Sequence, residues 1–269
     1  MSLNRRSHAL IEQGWIRALA LLSIYLALSA VWGNFVWSAE LWFTLSFVLS
    51  ILLVYLFRKF IDRRTFTSLG FNIDYFYPDS VIGFALGSFL VFTGSLVMYY
   101  IDSIRWTEVI FNFGDLFVSF ILLAMIAFSE ELVFRGYLIR NLMKSFNKWI
   151  SIFLSAFLFS VVHYSNAGMP AIGMLNTFLG GLVLALLFVI TKALWMPICF
   201  HLSWNFVQGP VLGYRVSGLN FNSLLSAEAT GPQILTGGGY GFEGSLICTI
   251  LLLFAVVAGC YIESQKTEE

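Results

Sequence analysis

The sequence predicts an all-α, polytopic membrane protein: a bundle of about eight transmembrane helices with the N-terminus and the C-terminus in the cytoplasm. Of its 269 residues, 59% are hydrophobic and 11% are charged, whereas roughly a quarter of the residues in soluble proteins are charged. The mean hydropathy is +0.84. Several apolar runs also have the length needed to cross about 30 Å of hydrocarbon. We therefore treat residues 1–269 as a single integral membrane domain.

Eight apolar runs define the predicted helices. They cover residues 15–33, 41–57, 80–101, 116–139, 149–166, 175–191, 193–208 and 245–262. Only Thr191 and Lys192 separate the sixth run from the seventh, so these two form a tight helical hairpin or one of them is re-entrant. The first run is long, lacks a small-residue cleavage pattern and is soon followed by another, which predicts an anchor and not a cleavable signal peptide.

The lysines and arginines predict the orientation, because they concentrate in cytoplasmic loops. If the N-terminus is inside, the outer side keeps only Arg105 and Arg215, and Arg135 lies within the membrane. The inner side then collects Arg5, Arg6, Arg17, Arg58, Lys59, Arg63, Arg64, Arg140, Lys144, Lys148, Lys192 and Lys266. This bias predicts an even number of spans.

The protein is expected in a cell membrane as a multi-pass protein. Its size, its compact loops and the lack of eukaryotic sorting signals favour a bacterial plasma membrane. The net charge is zero and no basic domain is present, so the sequence predicts no nucleic-acid partner. The oligomeric state is left open.

Three polar clusters lie inside the apolar runs, where ionisable groups are costly and call for a functional explanation. They are Glu130-Glu131-x-x-x-Arg135, Phe159-x-x-x-His163 and His201-x-x-x-Asn205.

The first cluster predicts one carboxylate with a structural role and one that can act in acid–base chemistry. Glu131 and Arg135 are four residues apart and share a helix face, so we expect an intrahelical ion pair. Glu130 points about 100° away from Glu131 and keeps no partner on its own helix. A carboxylate in an apolar, partly wetted cavity is suited to act as a general base or acid.

The other two clusters supply the remaining parts of a peptide hydrolase. His201 and Asn205 lie one turn apart on one face, and a histidine and an amide can both donate hydrogen bonds to a developing oxyanion. His163, on another helix, can share a water or a substrate with Glu130. In this interpretation Glu130 activates a water, and His201 with Asn205 stabilises the tetrahedral intermediate.

A metal site is the competing arrangement, because Glu130, His163 and His201 are the ligand types of a catalytic zinc. The His-x-x-x-Asn spacing lacks the two-histidine pair of the zincins, which favours a metal-free mechanism. Cys199, Cys248 and Cys260 all fall in predicted helices at no metal-site spacing and are expected to be core residues. A transporter would also keep ionisable groups at mid-membrane, but it would be expected to show an internal repeat, which is not visible.

Taken together, the three motifs resemble those of the CPBP intramembrane proteases, the CAAX-processing and bacteriocin-processing family, also called the Abi family. Their order and separation match over residues 116–208, the predicted catalytic core helices. Weaker similarities extend to Ser68-Leu-Gly-Phe71 and to the glycine-rich segment Gly237–Gly244.

The resemblance implies an all-helical intramembrane endopeptidase, similar to CAAX prenyl protease type 2. Its eukaryotic members remove the last three residues of a prenylated CaaX protein. Carried over by position, Glu130 and His163 activate the water, His201 and Asn205 form the oxyanion site, and Glu131 with Arg135 supports them. The implied substrate is a membrane-associated or lipidated peptide or protein. Some relatives are immunity or scaffold proteins, so a non-enzymatic role is the alternative.

The depths of the three motifs give a further expectation. At 1.5 Å per residue, Glu130 lies roughly 13 Å and His201 roughly 12 Å from the inner ends of their helices, whereas His163 lies roughly 21 Å from its own. We therefore expect a water-filled pocket that opens from the cytoplasmic half, with helix tilt or a later start of the fifth helix correcting the position of His163.

Overall fold

The computed structural model describes residues 13–33, 35 and 38–268, and helices occupy all eight predicted apolar segments. The all-α membrane bundle is therefore confirmed. The helices are α1 Gly14–Gly33, α2 Ala39–Leu56, α3 Phe76–Tyr100, α4 Phe113–Glu131, α5 Ile139–Leu142, α6 Lys148–His163, α7 Ala171–Thr191, α8 Trp195–Phe206, α9 Gln233–Thr236 and α10 Leu246–Glu268.

Wider π-helical turns extend three of these helices. A π-helical stretch, Leu132–Leu138, joins α4 to α5, so that residues 113–142 form one continuous helix. Similar turns follow α2 at Phe57–Ile61 and α8 at Val207–Val211. Such turns are uncommon within α-helices and are frequent at functional sites. The stretch Leu132–Leu138 begins directly after Glu131.

Within residues 13–33, 35 and 38–268, six helices are long and apolar enough to cross a membrane, which supports a multi-pass membrane protein. They are Gly14–Gly33, Ala39–Ile61, Ile73–Tyr100, Phe113–Leu142, Ala171–Thr191 and Leu246–Lys266. The two remaining apolar helices, α6 and α8, are shorter, so the count of eight full spans stays a prediction. Between α7 and α8 the chain makes the tight hairpin, with Lys192 in the left-handed region at φ 58°.

Several helices begin earlier than the hydropathy predicted. The third begins at Phe76 and not at 80, because Pro78 falls in its first turn, where a proline costs no hydrogen bond. The fourth begins at Phe113, after Asn112, whose Oδ1 accepts from the N–H groups of Gly114 and Asp115. Polar residues at these helix ends lower the local hydropathy without ending the helix.

The segment between α8 and α10 contains a strand as well as the short helix α9. Residues β1 Ile104–Val109 and β2 Leu225–Ala229 form an antiparallel ribbon in which Arg105 faces Glu228 and Trp106 faces Ala227. The ribbon joins two long-separated loops at the same end of the bundle.

Glycines allow α3 to approach α8, the helix that carries His201 and Asn205. A Cβ at Gly83 would collide with the carbonyl oxygen of Met196, and a Cβ at Gly87 would collide with the carbonyl oxygen of Phe200 and with Ser203. Small residues at helix interfaces in membranes permit this close backbone packing. The position of α8 therefore depends on these two glycines.

Most of the basic residues lie at one end of the bundle, which we call the basic end. It is formed where α2, α5, α7 and α10 end and where α1, α6 and α8 begin. Its members are Arg17, Arg58, Lys59, Arg63, Arg64, Arg140, Lys144, Lys148, Lys192 and Lys266. Two more predicted members, Arg5 and Arg6, lie outside the described residues. The end where α1 finishes and α4 begins is called the far end.

A buried carboxylate organises the basic end. The side chain of Asp62 is fully buried and lies 2.9 Å from Arg17, 2.8 Å from Arg58 and 3.4 Å from Lys144. Burial by itself raises the pKa of Asp62, but the hydrogen bond from Arg58, the charge of Lys144 and the hydrogen bond from Arg17 outweigh it and lower that pKa. The carboxylate thus ties α1, α2 and the loop after α5 together.

The segment Ser68-Leu-Gly-Phe71 supports the start of α8. The carbonyl of Gly70 accepts from the N–H of Leu194, and the carbonyl of Leu69 accepts from Arg140. Gly70 has φ 117°, a conformation that favours glycine. The ring of Phe71 lies between Phe66 and Phe128.

Candidate active site

Glu130 faces two histidines from different helices. Its Oε2 atom lies 3.6 Å from Nε2 of His163 and 3.9 Å from Nε2 of His201. This oxygen is buried and has no hydrogen-bond partner among the described residues, although the side chain as a whole is 24% exposed. A buried carboxylate oxygen without a partner calls for an explanation, and here it points at the space between the imidazoles.

His163 is the last residue of α6, and its ring is oriented by its own helix. Nδ1 lies 2.7 Å from the carbonyl oxygen of Phe159. Because a carbonyl oxygen only accepts, Nδ1 carries the hydrogen, which leaves Nε2 directed at Glu130. The four-residue spacing of Phe159 and His163 therefore determines which nitrogen reaches the carboxylate.

His201 is oriented by Glu131. Its Nδ1 lies 3.0 Å from Oε1 of Glu131, and the same oxygen lies 3.0 Å from Nη1 of Arg135. The predicted Glu131–Arg135 ion pair is thus present, with both side chains fully buried. Sequence reasoning missed the contact with His201, because no local pattern shows that α4 and α8 meet.

Arg135 and Phe159 connect this ion pair to the neighbouring helices. Nη2 of Arg135 donates to the carbonyl of Gly181 in α7 at 3.0 Å. The guanidinium also lies over the ring of Phe159, 4.5 Å from its centroid, a cation–π geometry. The ring of His163 also contacts Phe159, with the two ring centroids 4.3 Å apart. Sequence reasoning assigned Phe159 no role beyond its place in the motif.

Asn205 lies one turn after His201 on α8 and is buried. It lines a cleft of about 460 Å³ together with Glu130, His163 and His201. All four side chains expected to act on the substrate therefore border one space. A second, smaller cavity of about 60 Å³ also borders His163, His201 and Asn205 and reaches Glu243.

The cleft opens towards the far end of the bundle. Its described lining includes residues from helix ends and loops of the far end: Gly33, Ser38, Asn166, Ala167, Ser217, Leu219 and Phe221. None of the described lining residues belongs to the basic end. This location disagrees with the expected opening from the cytoplasmic half if the basic end is cytoplasmic, and that orientation stays a prediction. The position of a residue along its helix does not show at which end of the bundle the helices separate to form a cleft.

The apparent depth difference between Glu130 and His163 has a simple cause. The helix that carries Glu130 continues to Leu142, three residues beyond its predicted end, which places Glu130 about 18 Å from that end at 1.5 Å per residue. Contrary to the expected later start, α6 begins at Lys148. The longer helix of Glu130 supplies part of the correction, and the two side chains meet.

The residues left outside the site have structural positions. Cys199, Cys248 and Cys260 are free thiols within helices; Cys248 is buried in the core, as expected, whereas Cys199 and Cys260 are only partly buried. In the segment Gly237–Gly244, Glu243 accepts from the N–H and the hydroxyl of Ser217, so a carboxylate occupies the glycine-rich turn before α10.

The donor set does not decide whether a metal is used. No group of three or more His, Cys, Asp or Glu side chains within residues 13–33, 35 and 38–268 is arranged to hold a metal ion. The expectation of a metal-free mechanism stays a prediction.

Comparison with known proteins supports the resemblance noted from the motifs. Residues 112–207 match the family model described as type II CAAX prenyl endopeptidase Rce1-like. This range overlaps the predicted catalytic core, residues 116–208, and contains all three motifs, so the suspected family relationship is confirmed over this part of the chain. No curated protein and no solved structure matches the chain.

Proposed function

Because its motif-bearing segment matches a family of intramembrane endopeptidases, we propose that this protein hydrolyses a peptide bond in a membrane-associated or lipidated substrate with a water activated by Glu130 and His163. The observation that carries the proposal is the approach of Glu130 Oε2 to Nε2 of His163 and of His201, at 3.6 and 3.9 Å, inside one cleft. These distances leave the carboxylate oxygen free to take a proton from a water.

In the proposed reaction, a water lies against Oε2 of Glu130 and Nε2 of His163. Glu130 takes a proton from the water while the oxygen of that water bonds to the scissile carbonyl carbon, forming a tetrahedral oxyanion. The C–N bond then breaks, and the proton held by Glu130 passes to the leaving amine. One water is consumed, and the products are a carboxylate and an amine.

The oxyanion is assigned to His201 and Asn205. Both border the cleft on one face of α8, and preorganised donors at this place stabilise the charge that develops in the transition state. The Nδ1–H of His201 already donates to Glu131, so a hydrogen bond from Nε2 to the oxyanion requires an imidazolium with both nitrogens protonated. Asn205 donates through its amide in any protonation state.

Glu131 and Arg135 are proposed to position the site. Glu131 fixes the imidazole of His201, and Arg135 anchors Glu131 to the carbonyl of Gly181 on α7. Neither charged group faces the cleft, so neither is expected to contact the substrate.

The test compares purified wild type with Glu130→Ala on a library of membrane-anchored and CaaX-like peptides. Glu108→Ala, at an exposed glutamate in β1, is the matched control. We expect cleavage by wild type and by the control and none by Glu130→Ala. Failure of all three proteins to cut, while Glu130→Ala remains fully functional in cells, would refute the proposal and favour a scaffold or immunity protein.

A chelator added to the same assay tests the metal alternative. Cleavage that survives chelation supports the glutamate mechanism. Loss of cleavage with recovery on adding Zn²⁺ would instead assign Glu130, His163 and His201 as metal ligands.

A further inference from the structure

The cleft and the basic end lie at opposite ends of the bundle. The basic end is formed by the ends of α2, α5 and α7 and the start of α6, whereas the cleft is bordered by the end of α1, the start of α2 and the end of α6. Every helix that reaches the cleft mouth therefore has its other terminus at or near the basic end. The two surfaces are separated by the length of the bundle.

The contacts within the basic end show that it is one continuous surface. Asp62 joins Arg17, Arg58 and Lys144. Lys148 pairs with Glu263 at 2.7 Å, which brings in the end of α10. Because these groups come from many separate loops, their common location does not depend on any single loop.

At the far end, the exposed charges are few and mostly acidic. Arg105 is paired with Asp102 at 3.0 Å, and Arg215 donates to Asn220 and to the carbonyl of Gly239. Exposed Glu108 and Glu228 lie on the ribbon. Lysines and arginines mark the cytoplasmic side of a membrane protein, so the far end is the exoplasmic side.

We infer that the cleft opens to the exoplasmic side and that its substrate is a peptide segment exposed there. This inference rests on the proposed function, which it narrows to a compartment. Proteins prenylated at a cytoplasmic C-terminus present their cleavage site on the opposite side, so the inference excludes them as substrates.

The chemistry of the cleft specifies the kind of segment. Its described walls are largely apolar, with Trp42, Phe43, Leu123, Ile126 and Phe221, and they hold no lysine or arginine. A free C-terminal carboxylate or a phosphate would find no lysine or arginine there, only the two histidines of the site beside the carboxylate of Glu130. The cleft therefore suits an uncharged, mainly apolar internal segment next to the exoplasmic membrane surface, where a protein or an exported peptide leaves the bilayer.

The test uses two reporters that carry the same peptide. This peptide is chosen because the detergent-solubilised protein cleaves it. Each is fused to a single-span anchor, and flanking lysines orient the anchor so that the peptide faces either the exoplasm or the cytoplasm. Both are expressed with wild type or with Glu130→Ala. We expect Glu130-dependent loss of the exoplasmic reporter alone.

Cysteine labelling determines the orientation independently of activity. Glu108→Cys at the far end and Arg64→Cys at the basic end are treated in intact cells with a membrane-impermeant maleimide, and the parent protein, with its three helical cysteines, gives the background. We expect labelling of Glu108→Cys before permeabilisation and of Arg64→Cys only after it.

The outcomes separate the two proposals. Cleavage of the cytoplasmic reporter alone, or the reversed labelling pattern, would overturn the exoplasmic inference and leave the endopeptidase intact. Failure of the solubilised protein to cut any peptide would overturn the proposed function, and the labelling would still report which side the cleft faces.

Discussion

Replacing Glu131 with glutamine tests the division of labour between the adjacent glutamates. Oε1 of Glu131 lies 3.0 Å from both Arg135 and His201. The substitution keeps the size of the side chain and removes its charge, so the fully buried guanidinium of Arg135 loses the anion that it contacts. Its remaining contacts, the carbonyl of Gly181 and the face of Phe159, are uncharged.

The expected cost follows from this burial. Removing one partner of a buried ion pair destabilises a protein by about 3–5 kcal/mol, and Glu131→Gln should fall in that range because both side chains are fully buried. Glu130→Gln is the control: Oε2 of Glu130 has no hydrogen-bond partner among the described residues, so we expect a smaller loss of folding stability than in Glu131→Gln.

The assay is equilibrium unfolding of both variants in the same detergent. A third protein, Glu131→Leu combined with Arg135→Met, removes both charges and should be more stable than Glu131→Gln, since replacing a buried pair by apolar groups is often neutral. Equal stability of Glu131→Gln and wild type, or a double variant weaker than Glu131→Gln, would refute the reasoning.

Three further predictions concern the supports of the site and the oxyanion. Asn205→Ala should lower kcat by about 10²–10³-fold, as loss of one oxyanion donor does, with KM little changed in steady-state assays; an unchanged kcat would remove Asn205 from the reaction. Gly87→Ala should cost about 1–3 kcal/mol through overpacking against α8, measured by thermal unfolding against Gly180→Ala, where a Cβ meets no atom within 4 Å; equal melting of the two variants would contradict the packing argument. The folded-state pKa of Asp62 lies below 3.8, so its carboxylate stabilises the fold above that pH and the stabilisation is lost as the pH falls through the folded-state pKa. Asp62→Asn should therefore be less stable than wild type at pH 7, and the difference should shrink on acidification; a pH-independent difference would count against this role.

The sequence predicted the positions of the helices better than it predicted which helices and loops contact each other. Eight apolar runs became eight helices, and the four-residue spacing of Glu131 and Arg135 correctly predicted their ion pair, because both follow from local periodicity. The bond from Glu131 to His201, the ribbon and the exit of the cleft all join segments far apart in the chain. No local pattern encodes these contacts, so they required the structure.

The π-helical stretch after Glu131 was also beyond sequence reasoning. The residues Leu132–Leu138 are nearly all apolar, which does not distinguish an α-helix from the wider turns that they form around Arg135. The continuous helix also ends at Leu142, later than predicted. The prediction ended it early because Arg140 and Asn141 lower the local hydropathy, whereas in the structure their side chains contact carbonyl groups inside the bundle.

The central claim is that Glu130 is the base of a peptide hydrolase, and one paired measurement tests it most directly. Binding and single-turnover cleavage of the best library peptide are measured on the same samples of wild type and Glu130→Gln. We expect an unchanged Kd and a cleavage rate lowered by about 10²–10⁴-fold, the usual contribution of a general base. Cleavage by Glu130→Gln at the wild-type rate would contradict the account.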